Sequence, residues 1–240
     1  VMAAMLLGFA VERESQLRRV EIERDKTQAI ASFMQELFEN ADPTHAGGSH
    51  VTVRQVLDRG AATLAQRKDI DPQVRVQLMI SMARSYNQLS LGAPAVALMK
   101  QALQLQRRYT QDPLEAGRVY AQLGRGYSTM LDEPSAIPAD DRAIALLSQV
   151  RPRPVDEILR VRINQLYNHL AVLDIPLDQV QQQIREILVT LEAKPGKHDR
   201  ELHLQALAVL AMTLGAQGED DQAMVTAHRA VEEAAHLYVA

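Results

Sequence analysis

The feature that most constrains this chain is a recurrence. Ala83 and Tyr86, followed by Ala95 and Ala102, return 41 residues later as Gly124 and Tyr127, followed by Ala136 and Ala143. The pattern returns near the C-terminus as Ala211 and Leu214, then Ala223 and Ala230, with Gly218 at the intervening turn. A weaker copy lies between them: Asn168 and Ala171, then Val180 and Ile187, 44 residues beyond the second copy and 43 before the fourth. A short unit of this kind cannot bury its apolar face alone, so like units must stack and share one continuous core. The small residues allow close approach of neighbouring helices, and the intervening Leu, Met and Tyr fill the groove between them.

Helix is the element that the rest of the sequence supports. Ala, Leu, Gln, Arg and Glu dominate, there are three Phe, six Tyr and no Trp, and β-branched residues do not form alternating runs. Helix starts are marked at Thr52 with Gln55, at Asp71 before Pro72, and at Asp112 before Pro113 with Glu115. Asn40-Ala41-Asp42-Pro43, Pro152 with Pro154, Pro176, and Pro195-Gly196 before Asp199 interrupt the pattern. The expectation is about ten helices and no strand.

The N-terminal segments differ in kind. Residues 1–11 are apolar on all sides, too short to span a bilayer alone, and expected to be the end of a transmembrane helix; the alternative is a hydrophobic end of a soluble helix. Residues 12–29 form a charged helix with five acidic and five basic side chains, solvated on most sides. Residues 30–71 are expected to form a first helix pair, with Ile30, Phe33, Met34, Leu37 and Phe38 as one buried stripe, and residues 72–240 four repeats.

The small and large residues at Met82-Ala83 with Tyr86, Leu123-Gly124 with Tyr127, and Leu210-Ala211 resemble those of the tetratricopeptide repeat over roughly residues 73–237, with a period closer to the long-helix versions of kinesin light chains and bacterial signalling proteins. The resemblance implies an all-α fold: a right-handed α-solenoid of about five antiparallel helix pairs whose first helices line a concave groove. That groove would present Gln77, Arg84, Asn87 and Gln88 from the first copy, Arg118, Arg125, Ser128 and Thr129 from the second, and Arg162, Gln165 and His169 from the third. Arginine forks suit carboxylates and phosphates, so an acidic peptide, protein or small anionic ligand is the expected occupant. A merely hydrated polar face is the competing account.

Other chemistries find little footing. The formal charge of −4 gives no general attraction to nucleic acid, and with no cysteine there is neither thiol chemistry nor a cysteine zinc site. His198 and His203 are five apart and do not share a helical face, His45 and His50 share a Gly-rich loop, and His228 and His236 are eight apart, so solvated histidines are expected and no metal. Gly124-Arg125-Gly126 falls inside a helical repeat, which makes it a packing motif and not a nucleotide loop. No cofactor and no catalytic residue is expected.

An apolar run, a charged helix, and then Phe33 to Pro43 and Val51 to Leu64 together resemble the region after the membrane helix in bacterial transmembrane serine/threonine kinases. That resemblance implies a non-enzymatic sensor half, single-pass in the inner membrane with its repeats in the periplasm, attached to a kinase on its N-terminal side, and with homodimerisation possible. The alternative is a cytoplasmic adaptor that scaffolds a protein complex through the same groove.

Overall fold

The computed structural model describes residues 24, 27–28, 31–33, 35, 52–109, 112–193 and 200–238. Residues 1–11, the stripe at Ile30, Met34, Leu37 and Phe38, the break at 40–43, His45, His50, and Pro195 to Asp199 lie outside the described residues. From Val53 onward the described residues form α1 (Val53–Gln66), α2 (Pro72–Gln88), α3 (Gly92–Tyr109), α4 (Pro113–Thr129), α5 (Glu133–Leu147), α6 (Val155–Val172), α7 (Leu177–Glu192), α8 (Arg200–Ala216) and α9 (Asp220–Tyr238), with no strand among them.

The starts follow local chemistry. The Thr52 hydroxyl accepts from Gln55 N–H at 3.3 Å while the Gln55 side chain accepts from Thr52 N–H at 2.9 Å, a complete capping box. Asp71 accepts from Gln73 and Val74 N–H, Asp112 from Leu114 N–H, and Asp132 from Ser135 N–H. Each satisfies donors that a helix start leaves open, worth typically about 1 kcal/mol.

Ends are equally regular. The first helices of the four copies are followed by a residue in left-handed conformation: Ser90, Leu131, Leu173 and Gly218, with φ of 57°, 57°, 53° and 80°. In three of them the next N–H bonds back five residues, Leu91 to Tyr86 O, Asp132 to Tyr127 O and Glu219 to Leu214 O. The large residue that recurs as Tyr86, Tyr127 and Leu214 is therefore also the residue whose carbonyl closes the turn. Glycine takes this conformation at no steric cost, whereas a leucine there costs roughly 1–2 kcal/mol.

These residues also set the phase of the third copy. Leu173 lies 42 residues beyond Leu131, and α6 begins 42 beyond α4, whereas α7 begins 44 beyond α5. The displacement of 44 read from the sequence holds only for the second helix. Leu166 and His169, and not Asn168 and Ala171, take the places of Gly124 and Tyr127, and the two extra residues sit in the turn between Leu173 and Leu177.

The chain divides into two compact units, residues 1–82 and 83–240. In the first, Phe33, Leu57, Leu64, Val74, Leu78 and Met82 are buried. In the second, consecutive helices pack as antiparallel pairs, and α4 also meets α6, and α6 meets α8. One core, around Ala143, Leu147, Ile158 and Val161, joins α5 to α6. A larger one, with Ile184, Leu191, Leu202, Leu207 and Leu214, joins α6 to α9. Each fully buried leucine is worth about 1.5–3 kcal/mol relative to exposure. Ala95, Ala102, Ala136, Ala143 and Ala230 are all buried, as their recurrence requires.

Candidate functional site

Two bonds fix the relation between the first helices α4 and α6. Near their starts, Arg118 Nε and Nη2 donate to Glu157 Oε2 and Oε1 at 2.8 and 2.6 Å. Near their ends, Ser128 Oγ donates to Asn168 Oδ1 at 2.7 Å and accepts from Asn164 Nδ2 at 3.1 Å. The helices are therefore parallel neighbours. One copy earlier, Asn87 Nδ2 donates to Gln122 O at 3.1 Å and to Gln122 Oε1 at 3.2 Å. Asn87 and Ser128 each stand three residues before a left-handed turn residue, so they form a buried polar seam between successive first helices.

Beneath that seam lies a group that periodicity alone would not place. Asp140 on α5 stands where the neighbouring copies carry Met99 and Ile184, and all three side chains are fully buried. Its Oδ2 accepts from Asn164 Nδ2 at 2.8 Å and from Asn168 Nδ2 at 3.0 Å, while Oδ1 is buried without a hydrogen-bond partner. Burial pushes its carboxyl up from 3.8 to about 7, the two amides oppose that rise, Asp141 adds to it, and the Arg125 charge draws it back. Gly124 makes room: a Cβ there would overlap Asp140 Oδ1, and one on Gly126 would come within 2.8 Å of Val96 Cγ2. The Gly-Arg-Gly motif is thus a packing motif, as its helical setting implies.

The residues expected to line a groove separate into groups. Arg84, Gln88, Arg125 and Arg162 are exposed, and Thr129 is half-buried with its hydroxyl bonded to Arg125 O. Arg84 and Arg125 each stand six residues before a left-handed turn residue, and neither forms an ion pair among the described residues. Asn87 and Ser128 are buried in the seam and are not open to a ligand. Arg118 is committed to Glu157, and its charge is held more firmly by that bond. Arg162 is out of phase with Arg118, whose register in the third copy is held by Arg160. Gln165 donates to Asp141 at 2.6 Å, and His169 Nδ1 lies 2.7 Å from Asp174 Oδ1. Gln77 belongs to the first unit. In the phase of Arg84 and Arg125 the later copies carry Tyr167 and Met212, so the cationic character is confined to two copies.

One histidine departs from expectation. His203 is buried instead of solvated, with Nδ1 2.7 Å from Glu233 Oε2 and Nε2 3.3 Å from Glu192 Oε1. Arg229 Nη2 donates to the same Glu192 oxygen at 2.8 Å, and that bond, ahead of His203, holds the Glu192 carboxyl below its usual range. The two ring nitrogens face different carboxylates, and no cluster of three metal-ligating side chains occurs among the described residues. His228 is exposed. A shallow depression of about 550 Å³ is lined by α7 residues such as Gln181, Arg185 and Val189 and shares none with the arginine face. No described helix is long and apolar enough to cross a membrane.

Sequence reasoning missed Asp140, Glu157 and the Glu192–His203–Glu233 set. Asp140 did leave a signal, an acid inside an apolar stripe. Glu157 and Glu233 left none, since nothing in a single sequence tells which helix a surface carboxylate will meet.

No family model and no curated protein matches the chain. Among solved structures it is similar to BtubC (BKLC) from P. vanneervenii, at TM-score 0.62 and 14% identity over 87% of this chain and 82% of that one. It is also similar to a kinesin light chain protein of Podosopora anserina with nearly identical TPR-like repeats, at TM-score 0.53 and 14% identity over 90% of this chain and 97% of that one. A singly substituted form of the latter gives TM-score 0.54 and 15% identity over 90% of this chain and 96% of that one. The fold of this chain is accordingly an all-α array of TPR-like helix pairs.

Proposed function

We propose that this chain is a protein-interaction module that receives an acidic peptide segment across the exposed face of its first helices, with Arg84 and Arg125 as the charged contacts. The observation that carries the reading is their repetition. Two exposed arginines occupy one phase of successive copies, and neither forms an ion pair among the described residues, although Arg125 lies within electrostatic reach of the buried Asp140. Gln88 and Thr129, four residues after each arginine, add polar groups to the same face. Charge-assisted hydrogen bonds from arginine to carboxylate contribute roughly 1.5–3 kcal/mol each before desolvation is subtracted.

A scaffold is better supported than the sensor of a membrane kinase. The similar structures are repeat proteins, whereas the kinase, inner-membrane and periplasmic expectations rest on residues 1–64 of the sequence alone. Fluorescence anisotropy with a labelled peptide of alternating Glu and Gly tests the binding reading. Saturable binding that falls at least tenfold in Arg84→Ala/Arg125→Ala supports it, and equal affinity of the wild type and the variant overturns it.

A further inference from the structure

The turns that follow the first helices share one edge of the second unit. The parallel arrangement of α4 and α6 brings together the turns at 130–132 and 173–176, and the bond from Asn87 to Gln122 places the turn at Ser90 beside them. Gln217 Nε2 donates to Asp178 Oδ1 at 2.7 Å, which adds the turn at Gly218 to the same edge. Large apolar side chains stand exposed along it: Leu89, Met130, Leu131, Val172 and Leu173. Leu131 and Leu173 are 73% and 64% exposed and occupy the left-handed conformation that Gly218 serves in the last copy. Neither burial nor backbone ease accounts for leucine at those two positions. A strained, exposed apolar residue repeated in phase points to contact with something outside.

Charge narrows what that is. The segments 129–135, 171–178 and 216–222 hold seven carboxylates and no Lys or Arg. Helix-start chemistry explains some of these acids, among them Asp132 as a cap. Glu133, Glu219, Asp220 and Asp221 form no ion pair among the described residues. An occupant should thus present apolar groups flanked by positive charge. The opposite edge of the same unit does so. Arg107 and Arg108 end α3, Arg151 and Arg153 lie in the loop before α6 and donate only to Ser148 and Val150, all four are exposed, and none forms an ion pair among the described residues. Of the carboxylates on that edge, Asp112 caps α4, Glu115 is buried, Glu157 is held by Arg118, and Asp156 is exposed. Tyr109 and Val155 stand exposed beside them. The two edges lie at opposite ends of antiparallel helices, so they meet only between molecules.

We propose that copies of this chain associate edge to edge, the turns carrying Leu131 and Leu173 of one copy seating against the arginine-bearing loops of the next. The contact is heterologous, so it can add further copies until geometry closes the chain of molecules. It is independent of the arginine face on the first helices, which lies on neither edge.

Sedimentation velocity on the full chain, in one buffer with mild detergent, tests this. The weight-average mass should rise with concentration and fall as salt is raised from about 50 to about 500 mM. Leu131→Gly/Leu173→Gly should need at least tenfold more protein to reach the same mass, with a melting temperature equal to or above that of the wild type. Two charge variants, Arg107→Glu/Arg108→Glu/Arg151→Glu/Arg153→Glu and Glu133→Lys/Glu219→Lys/Asp220→Lys/Asp221→Lys, should each remain monomeric alone and pair when mixed. A wild type that stays monomeric at every concentration, a glycine variant that associates like the wild type, or a mixture no heavier than its components overturns the proposal.

Discussion

Asn164 and Asp140, 24 residues apart in sequence, meet at 2.8 Å inside the junction between the second and third helix pairs. The carboxylate oxygen that accepts this bond also accepts from Asn168, while its twin accepts none. A buried acid so placed makes stability depend on pH in a definite direction.

Burial raises the Asp140 carboxyl from 3.8 to about 7, so the folded chain keeps a proton that the unfolded chain releases near pH 4. The stabilisation from this group is fully present below about pH 4 and is lost as the pH rises toward 7, an effect of up to about 4 kcal/mol at 1.36 kcal/mol per unit. Asp140→Asn removes that dependence. Urea unfolding should find the variant more stable than the wild type at pH 8, with the difference shrinking toward pH 4.5. A difference that does not vary with pH would contradict the assignment.

Gly124→Ala should destabilise the chain by about 1–3 kcal/mol, because the new methyl overlaps the Asp140 carboxylate and the packed helices leave it nowhere to go. The fourth copy, which carries Ala211 and Ala227 at the corresponding positions, indicates what relieves the clash. In an Asp140→Ala background the same substitution should cost markedly less. A double-mutant cycle with no coupling would show that the two positions do not compete for space.

Arg118 and Arg125 look alike in sequence and should behave differently. Arg118→Ala breaks a bidentate pair with Glu157 that is more than a third exposed on both sides, so the expected loss of stability is about 1 kcal/mol or less, with little effect on acidic-peptide affinity. Arg125→Ala should leave the melting temperature nearly unchanged and weaken the peptide. Thermal melts paired with anisotropy separate the two, and the reverse outcome would move the binding face toward the start of the first helices.

The repeat was legible because small residues recur wherever helices touch, and Ala83, Ala95, Ala102, Ala136 and Ala143 are all buried. Thr52, Asp71 and Asp112 were legible because capping is local chemistry. The phase of the third copy was not. Leu166 stands where the other copies carry Ala83, Gly124 and Ala211, its first helix ends on Leu173, and two extra residues in the following turn hide the displacement of 42 behind one of 44. The spacing of Arg84 and Arg125 was legible as a pattern, but which side chains stay exposed depends on neighbours far along the chain. Arg118 finds Glu157 and Ser128 finds Asn168, partners that no spacing rule within one helix predicts.

The polar seam around Asp140 also gives the array an address. Val209 and Thr213 on α8 occupy the positions that Asn164 and Asn168 hold on α6. Valine has no donor to offer, and the Thr213 hydroxyl is already bonded to Val209 O at 2.8 Å. Stacking α8 against α5 in place of α6 would therefore leave a buried carboxylate without either amide, at a cost of several kcal/mol. Apolar junctions would tolerate such an exchange of neighbours far better. In a molecule built from near-equivalent pairs, one acid and two amides thus specify which pair follows which.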